Sequence, residues 1–102
     1  MRFITANAAD RIPIETQIVM WLMLDRMKGE KDYLQIFILR ADEDEQQIIH
    51  KQENPPWCEE LIYDTETPVT EKVYIIDEGE YEIMLLAEDY CKEVSTWRHY
   101  GS

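Results

Sequence analysis

His50, Cys58, Cys91 and His99 are the residues of this chain best suited to metal or nucleophile chemistry. As a set they have the Cys2His2 composition of a tetrahedral zinc site. Seven residues separate His50 from Cys58, and seven separate Cys91 from His99. The usual finger instead needs C-x2-C and H-x3-H. The other chemistry open to these residues is a thiol activated by a neighbouring imidazole. No stretch of the sequence builds the nucleophile turn or oxyanion loop that such an enzyme needs. His50 alternates with Ile48 and Gln52 in an extended run, so a structural histidine is the plainer reading. A small zinc protein using these four side chains stays as an alternative. No catalytic residue and no cofactor is assigned, and the chain is read as a non-enzyme.

Other site chemistries fall away quickly. The stretch "DEDEQQIIHKQE" matches a calcium loop at Asp42, Asp44 and Glu53, but Gln47 occupies the position where the sharp turn demands glycine. With only Gly29, Gly79 and Gly101, the chain has no glycine-rich phosphate loop. Direct nucleic-acid binding is excluded by charge, since the formal net charge is -12.

That charge is unevenly placed. Residues 1–41 carry six Lys/Arg and five Asp/Glu, a net of +1, and residues 42–102 carry four and seventeen, a net of -13. A small domain needs a net charge of only ~2–8 in magnitude for solubility, and a larger one costs self-repulsion. Three acidic groups stand out: Asp42, Glu43, Asp44 and Glu45; Glu59, Glu60, Asp64 and Glu66; and Asp77, Glu78, Glu80 and Glu82. Carboxylates along turns and strand edges can imitate a phosphate array. They would attract proteins that bind nucleic acid through Lys and Arg. Trp57, beside Pro55 and Pro56, is a candidate aromatic anchor for such a partner. Each group taken singly is more simply a solvated loop.

The elements that must position these residues read as α+β. "RFITA" suggests a short first strand. A helix is expected from Pro13 to Lys28, with Pro13 at its first position, Glu15 in the first turn, Arg26 and Lys28 in the last, and Gly29 closing it. "DYLQIFILR" is apolar on both faces and reads as a central strand. "QQIIHKQ", "EELIYD", "TEKVYIID" and "YEIMLLA" are further strands, with a hairpin turn at "DEGE". One N-terminal helix then packs on a mostly antiparallel sheet of five or six strands, a single domain over residues 1–102 with a C-terminal helical extension over 88–102. No stretch reaches the roughly 20 apolar residues of a membrane-spanning helix, and no signal peptide is evident. A cytoplasmic location with free thiols is expected.

The helix is apolar nearly all round, so a single sheet covers only half of it. Ile14, Ile18, Trp21 and Leu22 are expected to meet the sheet. Met20, Met23, Leu24 and Met27 are then left to hold a homodimer, unless Val94 and Trp97 fold back over them.

At "IPIETQIVMWLMLD", "DYLQIFIL", "IIHKQENPP", "PVTEKVYIIDEGE" and "MLLAEDY" the sequence resembles the domain of unknown function 960 family, over Arg2 to about Tyr90. The resemblance implies a cytoplasmic protein of Gram-positive bacteria, also carried on phages and mobile elements, and brings no catalytic residues. That setting suggests a role against host defence. The expected function is an acidic binding protein of anti-CRISPR or anti-restriction type. Its partner would be a basic nucleic-acid-binding protein, with a nuclease as the leading choice. A housekeeping interaction module is the other alternative.

Overall fold

The computed structural model describes residues 1–90. Eight elements follow one another: β1 (Arg2–Ile4), α1 (Ala6–Arg11), α2 (Ile14–Asp25), β2 (Leu34–Asp42), β3 (Glu45–Gln52), β4 (Trp57–Asp64), β5 (Glu71–Asp77) and β6 (Glu82–Leu86). Residues 87–90 begin a further helical turn. The expected C-terminal helical extension, with Val94 and Trp97, lies otherwise outside the described residues.

The six strands form one sheet in the order β1-β6-β5-β2-β3-β4. Four of the pairings are antiparallel, but β1 runs parallel to β6, so the sheet is mixed. As expected, β2 is central. Phe37 and Leu39 point to the face that carries the helices, and Ile36 is buried on the other. On that second face Ile76 and Leu85 are also buried, and Tyr74 meets Tyr90 edge to face.

Proline shapes the helical layer. Thr5 caps α1 by accepting the amide of Ala8 at 3.3 Å. Pro13 forces Ile12 into extended backbone, which ends α1, and then serves as the N-cap of α2. α1 is an addition to the expected elements, because "ANAADR" is too short and too weakly periodic to stand out from a loop. α2 itself stops at Asp25, one turn before Lys28.

The face that α2 buries is largely the reverse of the one expected. Met20, Met23, Leu24 and Met27 are in the core, whereas Ile14, Ile18 and Leu22 are exposed; of the four residues expected on the sheet, Trp21 alone packs against the core, and it is half-buried. The methionines therefore cannot hold a dimer. Two polar contacts fix this rotation. The Thr16 hydroxyl, itself buried, hydrogen-bonds the Tyr63 hydroxyl on β4 at 2.8 Å. On the opposite flank the Arg2 guanidinium grips both carboxylate oxygens of Asp25, lies over the Trp21 ring at 4.6 Å and meets Glu82 at 2.9 Å. Asp25 is held below the usual carboxylate range by that hydrogen bond to Arg2. Unbranched methionines also fill the uneven space over a twisted sheet better than β-branched isoleucines do.

Candidate functional site

Beneath the helices runs a chain of buried amides. Positions 46, 48, 50 and 52 alternate onto the helix-covered face of β3, and Gln46, His50 and Gln52 are buried there together with Gln35 of β2. The Gln52 amide nitrogen donates to the carbonyls of Glu30 and Pro55, so its oxygen must accept. It does so from the Asp32 amide and from the Gln35 side-chain nitrogen. The Gln35 oxygen then accepts from His50 Nε2 at 2.7 Å. Each donor in the series fixes the next, which makes His50 the neutral Nε2–H tautomer. Its Nδ1 is buried with no hydrogen-bond partner among the described residues. The ring stacks on Phe37 at 4.2 Å and takes Trp57 edge-on at 4.7 Å. Burial, with the charge of Lys31 second, pushes the His50 pKa down to about 4.

This placement removes two of the chemistries considered for the histidine. His50 pairs with Glu59, and Cys58 with Lys51, so the imidazole and the thiol lie on opposite faces of the sheet. They can neither share a metal nor form a nucleophile pair. No metal-binding group of three or more His, Cys, Asp or Glu occurs among the described residues. Cys91 and His99 lie outside those residues. Trp57 is half-buried against His50, and so is a packing residue rather than a freely projecting anchor.

The acidic groups do not merge into one surface. Asp42–Glu45 caps the β2–β3 hairpin, and Asp64 pairs with Glu45, so Asp64 and Glu66 belong to the same end of the sheet. The turn at Asp77–Glu80 is at the other end, about 30 Å away at ~3.3 Å per strand residue. There the Asp77 side chain accepts the Gly79 amide at 2.8 Å. Glu82 is occupied by Arg2 and serves the fold. Glu59 and Glu60 sit midway along β4 on opposite faces, and Glu60 accepts from Gln47.

The hairpin end is the best-built of these places. Gln46 donates to the carbonyls of Arg40, Gln47 and Val69 and accepts the Val69 amide at 2.8 Å. The Thr65 amide donates to the Asp44 carbonyl, and the Ala41 amide to Thr70. The loop over residues 65–70 is thus tied to the hairpin, and Asp42, Glu43, Asp44, Glu45, Asp64 and Glu66 all remain exposed. At the tip Glu43 has a φ of 54°, the only positive φ among non-glycine residues described. A two-residue hairpin loop with that sign at its first position ordinarily takes glycine. A glutamate there stores strain, and such strain collects at functional positions. Glu43→Gly should therefore raise stability by up to about 1 kcal/mol in urea unfolding. The sequence offers no glycine at the tip to reveal this turn, and the buried glutamines read as ordinary polar positions.

The relatives found say nothing about chemistry. No curated protein matches the chain. A solved structure described as a protein of unknown function from Enterococcus faecalis is similar, with 19% identity and a TM-score of 0.69 over 85% of this chain and 87% of that one. At that identity the likeness shows the fold alone. The sequence profile of the staphylococcal proteins of unknown function, DUF960, matches residues 1–89, and the chain belongs to that family.

Proposed function

We propose that the protein is a non-enzymatic binding protein whose acidic hairpin end occupies the basic, nucleic-acid-binding surface of a protein partner. A nuclease of host defence is the partner class we favour. The observation that carries this reading is the hairpin end itself. Six exposed carboxylates are held on a hydrogen-bonded frame, and a strained glutamate projects from the tip. Preorganised carboxylates steer a cationic partner and lose little freedom on binding. None of the described helices is long and apolar enough to cross a membrane.

The test starts from partners retained by the tagged protein in a lysate of its native host. Raising salt from about 50 to about 200 mM should weaken the retained complex at least about tenfold. Reversing Asp42, Glu43, Asp44 and Glu45 to lysine should abolish it, and reversing Asp77, Glu78 and Glu80 at the far end should not. Equal effects at the two ends would mean that net charge alone matters. Indifference to salt would remove the reading altogether.

A further inference from the structure

The two edges of the sheet differ. β1 is three residues long, whereas β4 offers eight, from Trp57 to Asp64. The register between β3 and β4 is unbroken along its length, so no bulge twists this edge away. The Thr65 amide donates to Asp44 in continuation of that register. By the alternation of an antiparallel ladder, Trp57, Glu59, Leu61 and Tyr63 then turn their backbone groups toward β3. Cys58, Glu60, Ile62 and Asp64 turn theirs outward. None of those outward groups is bonded among the described residues.

We propose that β4 is a docking edge that accepts an extended, Lys/Arg-bearing segment of a protein partner as a seventh, antiparallel strand. The inference rests on the protein-binding reading given above and names how the partner is held. Its occupant follows from charge. β4 carries Glu59, Glu60 and Asp64 and no Lys or Arg, and the exposed Leu61 and Ile62 stand next to the two glutamates on either face. An incoming strand would set basic side chains against Glu59 and Glu60 and apolar ones against Leu61 and Ile62. A second copy of the chain fits worse. Two-fold pairing of β4 would offer Glu59 and Glu60 no cation, since β4 has no Lys or Arg, and would join molecules that each carry a net charge of -12.

The probe is a synthetic octapeptide with the core Val-Val-Lys-Lys and threonine flanks, so that antiparallel pairing sets valines opposite Ile62 and Leu61 and lysines opposite Glu60 and Glu59. Binding should protect the backbone amides of Glu60 and Ile62 from hydrogen exchange, read by NMR. A peptide N-methylated at the valine facing Ile62 and the lysine facing Glu60 keeps every charge but loses two donors. It should bind at least tenfold more weakly. Glu60→Pro should do the same while leaving thermal unfolding near that of the parent, because the amide it removes points away from β3. Equal binding of the methylated peptide, binding without amide protection, or pairing of β4 with itself would each overturn the proposal. If the native partner's complex is lost on reversal of Asp42–Glu45 but survives Glu60→Pro, the edge fails and the proposed function stands.

Discussion

Lowering the pH from about 6.5 to about 4 should cost the protein about 3 kcal/mol of stability through His50 alone. In the unfolded chain this imidazole takes up a proton near its ordinary pKa of 6.5. In the folded chain it resists until about 4, because burial penalises the cation and Lys31 repels it. Between those values the unfolded state holds more protons, so acid favours unfolding. The contribution is whole above 6.5 and gone below about 4. The structural cause is specific. Protonation would create a buried N–H at Nδ1, where the described residues offer no acceptor. His50→Gln keeps a donor for Gln35 but cannot titrate. Urea midpoints measured at several pH values should therefore fall with acid in the parent, and the slope between pH 6.5 and 4.5 should flatten in the variant. Parallel profiles would show that His50 does not govern the window.

Met20→Ala should lower stability by about 2–5 kcal/mol, and Ile18→Ala by no more than about 0.5 kcal/mol. The two residues are neighbours on a helix that is apolar all round, yet Met20 is wholly buried and Ile18 is 52% exposed. Chemical denaturation of both variants checks the rotation of α2 directly. Comparable losses at the two positions would mean that Ile18 is covered.

These variants also mark where the sequence stops being informative. The strands were legible because β-branched and aromatic runs, broken by "ADEDE", "NPPW" and "DEGE", leave few other readings, and β2 announced its central place by being apolar on both faces. The rotation of α2 was not legible. A helix with apolar residues on every side has no preferred face, and the deciding contacts, Thr16 with Tyr63 and Arg2 with Asp25, join residues 47 and 23 positions apart. The acidic groups were visible as sequence runs, but only the strand pairings reveal that Asp42–Glu45 and Asp77–Glu80 sit at opposite ends. The same pairings separate His50 from Cys58, which eight positions of spacing could not do.

The parallel strand β1 has a consequence for the order of assembly during synthesis. Residues 34–64 form a local meander, β2 to β3 to β4, whose contacts are all available once that segment has left the ribosome. β1, made before that meander, pairs only with β6, made some eighty residues later. Until Glu82, Ile83 and Met84 emerge, β1 has no ladder partner, and Arg2 lacks Glu82. The nascent chain must therefore carry β1 without its ladder through most of the synthesis of these residues, although α2 can already pack on the meander, and β6 then joins β1 to β5. Chains halted before Glu82 should be the ones most readily cut by protease within residues 1–12, whereas chains released after Leu86 should resist it there.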